Sequence, residues 1–242
     1  MGRLGSLQGQ REEKGRSRDQ GLRTLPVRTA GLGALLLVAW NTAAAQLVTA
    51  PQDIIEWEVR EFSGATRYRL ETDDGQAVVK AECQNGASAL YHQSTVDLTT
   101  TPVLQWSWGV SGVFSGIDET SKSGDDYPVR LYVVKDGGLL PWRTKAVNYV
   151  WASNQPQGTG WANPYASQAW MLALQSGVPE QPGALVIEQR NVRADFLALH
   201  DVDLTSIDGI AIMTDCDNSG QPIEGWYGSI RWLPATSSST RR

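Results

Sequence analysis

Histidine and cysteine are scarce in this chain of 242 residues, which holds only His92, His200, Cys83 and Cys216 of the two types. With two histidines and no nucleophile-elbow or phosphate-loop pattern, a hydrolytic triad has little support. The cysteines have no zinc-ligand spacing. Cysteine packs as a small hydrophobe, so two free, buried thiols are expected, with a disulfide as the alternative that export would permit. The apolar run Ala30–Trp40 is eleven residues long, too short to span about 30 Å of hydrocarbon as a helix. No cysteine follows that run, so a lipid anchor is not indicated. After Gln46 there is no long helical apolar pattern and no linker rich in proline, serine and glycine.

Positive charge is concentrated at the start. Residues 1–45 carry seven basic and three acidic residues, for +4, and the remainder carries fourteen and twenty-three, for −9. The basic stretch Arg11–Arg28, the apolar run and Ala43-Ala44-Ala45 follow the order of a secretory leader, with cleavage expected before Gln46 and translation expected to start near Val27. The expectation is an exported, periplasmic or secreted protein with no stable membrane insertion after cleavage. Its acidic body would repel a phosphate backbone, which argues against nucleic acid as a partner.

The rest of the sequence is punctuated by turns. Strands are expected at Tyr68–Glu71, Gln76–Cys83, Ala87–His92, Val103–Val110, Tyr127–Lys135, Ala146–Ala152, Gln168–Leu174, Ala184–Val192, Ile207–Thr214 and Gly225–Leu233. Asn85-Gly86, between two of them, is a hairpin signal. Some ten short strands with regular turn signals predict an all-β, two-sheet β-sandwich of jelly-roll type over residues 46–233, followed by a disordered tail over 234–242.

Four segments carry a family resemblance. They are Gly124–Val134, Asn148-Tyr149-Val150-Trp151-Ala152, Arg190-Asn191-Val192 with Asp195-Phe196, and Thr214–Gly220. In this order and spacing the chain resembles an uncharacterised bacterial family, domain of unknown function 3047, over roughly residues 54–233. That resemblance implies no activity. Asp203–Ile212 and Trp226–Trp232 also look like the closing strands of galactose-binding-like jelly rolls, many of which bind carbohydrate while others are assembly factors.

Strand alternation sorts the polar residues onto faces. Arg130 and Tyr132 share one, Glu188 and Arg190 another, Asp215 and Asp217 a third, and Asn148 opposes Trp151. With Asp125, Asp126 and Asn218 at strand ends, these eleven residues are the candidate ligand-binding set, against the alternative that they form structural salt bridges and turn caps. Asp215, Asp217 and Ser219, followed by Gly220, match the opening of a calcium loop, but Trp226 stands where its closing glutamate belongs. Calcium is therefore the only cofactor suggested. The ten tryptophans serve cores and binding platforms equally. Trp106, Trp108 and Trp232 suit burial, whereas Trp142, Trp161 and Tyr165 lie in loop-like stretches where sugar rings could stack. The expected function is non-catalytic binding of a glycan or other polar ligand, with glycan turnover by paired carboxylates or binding of an envelope protein as alternatives.

Overall fold

Two-residue alternation in the body of the chain is realised as strands almost throughout. A computed structural model describes residues 47–73 and 75–235, so the expected leader and the part of the expected tail beyond Ala235 lie outside the described residues. In chain order the elements begin with β1 (Leu47–Thr49), α1 (Pro51–Ile54), β2 (Glu58–Ser63), β3 (Arg67–Asp73), β4 (Gln76–Cys83), β5 (Ala87–Asp97) and β6 (Val103–Val110). They continue with β7 (Arg130–Lys135), β8 (Lys145–Ala152), β9 (Gly160–Ala162), β10 (Ala169–Ser176) and β11 (Val186–Asn191). Last come α2 (Val192–His200), β12 (Ser206–Asp215), β13 (Ile223–Tyr227) and β14 (Ile230–Leu233). Among the described residues no helix is long and apolar enough to cross a membrane.

The strands form two seven-stranded sheets, giving the all-β jelly-roll sandwich that the alternation predicts. The first runs β1-β14-β6-β13-β4-β3, with β11 paired along the other side of β6. The second runs β2-β5-β12-β7-β8-β10-β9, antiparallel except between β8 and β10. Inward faces meet in one core, where Leu104, Trp106 and Trp108 of the first sheet oppose Leu131, Val133, Tyr149, Trp151, Ile210 and Ile212 of the second. The Trp106 ring stands edge-on to Trp108, with centroids 5.2 Å apart, and tilts against Tyr149 at the same distance. Such pairs add to the large apolar area that each ring removes from water.

Three expectations are corrected. Asn85-Gly86 does not close a hairpin, because β4 pairs with β3 and β13 whereas β5 pairs with β2 and β12. The dipeptide instead carries the chain from one sheet to the other. Glycine is needed there for close approach, since a Cβ on Gly86 would lie 2.9 Å from the Ala65 carbonyl oxygen. The nearby hairpin joins β3 to β4, with Asp73 opposite Gln76 and Gly75 at a φ of +77°. Second, Cys83 and Cys216 are joined in a disulfide rather than free. Cys83 ends β4 and Cys216 follows β12, so the bond ties the two sheets across 133 residues of sequence. Third, Gly225–Leu233 is two strands, interrupted where the Gly228 amide turns to donate to the Ser107 carbonyl at 2.8 Å.

Five elements, β1, α1, β2, β9 and α2, escape the alternation reading. Strand β2 is exposed along its whole length and so shows no buried face. Helix α2 is short, and local chemistry sets its limits. The Asn191 side chain accepts from the Ala194 amide at 3.0 Å, and Asp201 closes the helix at a φ of 53°.

Candidate functional site

The outer face of the second sheet holds the site. On β7, Leu131 and Val133 enter the core, so Arg130, Tyr132 and Val134 point the other way. Register places Tyr132 opposite Asn148 of β8 and opposite Ala211 of β12, and Arg130 opposite Met213. Small residues surround these polar ones. Ala87, Ala89 and Ala211 pack with Met213 on β5 and β12, and Ala146 and Ala169 continue the surface onto β8 and β10. Small side chains under larger neighbours leave a cleft of about 580 Å³. This is within the range of ligand pockets, roughly 300–1,000 Å³.

A buried polar cluster closes one side of the cleft. Arg130 Nη2 donates to Asp215 in an ion pair whose side chains are 8% and 3% exposed. The same nitrogen reaches the Asp125 carbonyl at 3.4 Å, and the guanidinium lies 4.6 Å from the centre of the Tyr127 ring. Asp215 Oδ1 also accepts from the Tyr127 amide at 3.2 Å. Asp125 is held by Asn163, whose Nδ2 lies 2.9 Å from both carboxylate oxygens. Burial pushes the Asp125 and Asp215 carboxyls above their ordinary values, and the Arg130 guanidinium opposes that rise in both. Burial likewise pushes the Tyr132 hydroxyl up to about 12.

Some of the cleft's hydrogen-bonding capacity is unused. Arg130 Nε is buried without a partner. Among the described residues, the Asn148 amide and the Tyr132 hydroxyl, side by side on the floor, make no hydrogen bond to protein. Two exposed aromatics flank this floor, Phe62 at 65% and Tyr165 at 59%. The Tyr165 ring is fixed by its hydroxyl, which lies 3.0 Å from the Lys122 carbonyl and 3.2 Å from Asn218 Oδ1.

Of the eleven candidates from the sequence, the cleft gathers Asp125, Arg130, Tyr132, Asn148, Asp215, Asp217 and Asn218. The other four are elsewhere. Asp126 is buried and accepts from the amides of Asn218 at 3.2 Å and Ser219 at 2.6 Å, which fixes the loop after β12. Trp151 belongs to the core, with Nε1 donating to the Gly177 carbonyl at 2.9 Å. Glu188 and Arg190 lie on β11 of the opposite sheet. Glu188 accepts from Trp108 Nε1 and Gln175 Nε2, and Arg190 pairs with Asp195, which also accepts from Tyr149. Sharing a face on one strand did not bring those two to the others, because β11 pairs in the other sheet. Trp161 is buried and donates to the Glu119 carbonyl at 3.2 Å. Asn163, Met213 and Phe62 join the cleft without a sequence signal for it, and Phe62 lies on the strand that alternation does not reveal.

The acidic residues could also be considered for a cation. One carboxylate oxygen each from Asp126, Asp215 and Asp217 come within 4.8 Å of one another. Ser219 contributes little, since its hydroxyl accepts from the Gln221 amide at 3.2 Å. The donor set does not fit calcium. Asp215 is already neutralised by Arg130, and Asp126 is engaged by two backbone amides. A fixed guanidinium at that carboxylate repels a dication.

The fold and its site define a class: a jelly-roll β-sandwich with an open cleft on the outer face of one sheet. Within that class the chain belongs to the family described as protein of unknown function (DUF3047), which residues 55–231 match. No curated protein matches it. Among solved structures it is similar to the glycoside hydrolase domain of Endo-D from Streptococcus pneumoniae R6, at 8% identity and a TM-score of 0.37. That match covers 75% of this chain but only 22% of the other. It is also similar to an endoglucanase from Rhodothermus marinus, at 9% identity, a TM-score of 0.40 and coverage of 78% and 100%. A low-affinity xylan-binding module from Roseburia intestinalis shares 12% identity at a TM-score of 0.31, with coverage of 79% and 96%. Likenesses this distant do not transfer a ligand or a reaction.

Proposed function

We propose that this protein binds a glycan in the cleft on its second sheet and works outside the cytoplasm. One observation carries the binding reading. The Asn148 amide and the Tyr132 hydroxyl, without a hydrogen bond to any other described residue, sit on a floor of small apolar side chains flanked by exposed Phe62 and Tyr165. A sugar ring presents the complement, apolar C–H faces for the aromatic rings and a girdle of hydroxyls that both donate and accept.

The test is a thermal-shift and calorimetric screen of the full chain against soluble glycans. A ligand at a hundred times its Kd adds about 2.7 kcal/mol, a shift of several degrees for a domain of this size. Asn148→Ala and Tyr165→Ala should each weaken binding about tenfold or more while leaving the unfolding midpoint of the free protein within a few degrees. Arg130→Ala and Asp215→Ala are poor probes. Either leaves an uncompensated buried charge, at about 3–5 kcal/mol, so lost binding would report a damaged fold. A glycan that binds the Asn148→Ala and Tyr165→Ala variants as it binds wild type would overturn this site.

Turnover by paired carboxylates is the second reading, favoured by the burial-raised Asp125 on the cleft wall, since an acid must hold its proton to donate it. Against it, Asp215 is tied to Arg130 and Asp125 to Asn163. Incubation with any glycan that binds should release no reducing ends. Release that is abolished by Asp125→Asn would make the protein a glycoside hydrolase.

A further inference from the structure

The cleft is longer than a single sugar requires. Its lining passes from Phe62 on β2 through Ala87 on β5, Met213 on β12, Tyr132 on β7 and Asn148 on β8 to Ala169 on β10. Those are six neighbouring strands. Five spacings of about 4.8 Å make a path of about 24 Å across the sheet. Beyond Ala169 the surface continues into a second hollow of about 400 Å³, which shares Thr144, Ala146, Ala166 and Ala169 with the first. That hollow is lined by Trp142, which is 66% exposed. Three exposed rings, Phe62, Tyr165 and Trp142, therefore stand along one continuous trough.

The trough also has a sign. Its charged lining residues are Asp125, Arg130, Asp215 and Asp217, three carboxylates against one guanidinium. The guanidinium is spent on Asp215. With Asp215 paired to Arg130, Asp125 and Asp217 are left to repel a uronate or a sulfate; a cation close to the trough's rings is Lys122, whose Nζ lies 5.2 Å from the centre of the Tyr165 ring and outside the lining. The open donors and acceptors suit hydroxyl groups.

We infer that the trough grips the interior of a linear, uncharged polysaccharide, laid across the strands from Phe62 to Trp142. This inference rests on the glycan-binding reading and narrows it to a substrate class and a binding mode. A path across six strands has room for several sugar units, and aromatic rings at intervals along it reward each added unit.

The experiment is calorimetry of the full chain with mixed-linkage β-glucan, arabinoxylan and galactomannan, their oligosaccharides from two to six units, and polygalacturonate and alginate. At least one neutral polymer should bind, with Kd tightening tenfold or more from disaccharide to hexasaccharide and neither acidic polymer competing. Phe62→Ala and Trp142→Ala, both at exposed positions, should each weaken hexasaccharide binding about tenfold, which corresponds to about 1.4 kcal/mol, with the circular dichroism spectrum unchanged. Binding of an acidic polymer in preference to the neutral ones overturns the charge argument and leaves the glycan reading standing. Equal affinity for disaccharide and hexasaccharide, or unchanged binding by both variants, overturns the interior-chain mode and also leaves that reading standing. Failure of every carbohydrate to bind overturns both.

Discussion

Asp125 shows how strongly a single carboxyl can depend on its surroundings. It lies on the cleft wall with Asn163 donating to both oxygens and Arg130 nearby, yet burial dominates and raises its pKa above the ordinary value. The sign of the resulting pH effect follows directly. The native state prefers the protonated form more than the unfolded chain does, so this group's contribution falls as pH rises from the ordinary carboxylate value through the raised one. Asp125→Asn removes that titration. Urea unfolding near pH 4 and near pH 7, a span that starts at the ordinary aspartate value of about 3.9 and runs above it, should show wild type losing stability relative to the variant as pH rises. A difference that is flat, or that grows in the opposite direction, would mean that Arg130 rather than burial governs the carboxyl. Glu119 is a second acid whose carboxyl burial raises, here in a structural role. It is fully buried, but its oxygens accept from the amides of Ser153, Asn154 and Gln155 and hold that turn in place.

Among the elements, β12 has the most far-reaching role. It lies between β5 and β7, supplies Met213 and Asp215 to the cleft, and is followed directly by Cys216. The disulfide to Cys83 and the bond from the Cys216 amide to the Gly86 carbonyl, at 3.0 Å, anchor the start of the loop that carries Asp217 and Asn218. Closing so long a loop in the unfolded chain stabilises the fold by about 2–5 kcal/mol. The Cys83→Ser, Cys216→Ser double variant should unfold at correspondingly lower urea concentration. It should also bind glycan more weakly than its loss of stability alone explains, since Asn218 is within reach of the Tyr165 hydroxyl. Unchanged stability would mean that the cross-link adds nothing to the packing around it, where Phe114 and Ile223 already cover both sulfurs.

Over the whole molecule, the cleft shares the sign of the charge around it. Residues 46–242 carry −9, and a trough lined by three carboxylates continues that sign into the site. The disulfide suits an oxidising compartment, which is consistent with the export proposed for this protein. Sequencing the N-terminus of the protein recovered from outside the cytoplasm should give Gln46 as the first residue. A start well before it, or recovery with the cytoplasm alone, would refute export by this leader.

The alternation of side chains, a property of each strand alone, made most of the fold legible. Val103–Val110 and Gln76–Cys83 have the limits that their patterns predict, and Trp106, Trp108 and Trp232 are in the core. Locally determined chemistry placed seven of the eleven candidate residues beside one cleft, because they lie on strands that neighbour one another in the second sheet or in loops at its end. Pairing was a different matter. Nothing local distinguishes β11, which carries Glu188 and Arg190 into the first sheet, from β8, which carries Asn148 into the second. Nor does any spacing announce the Cys83–Cys216 bond, or that Asn85-Gly86 crosses between sheets. A strand's period fixes which side chains share its faces. Which strand lies beside it depends on contacts between residues far apart in the chain, and only the folded sandwich brings those residues together.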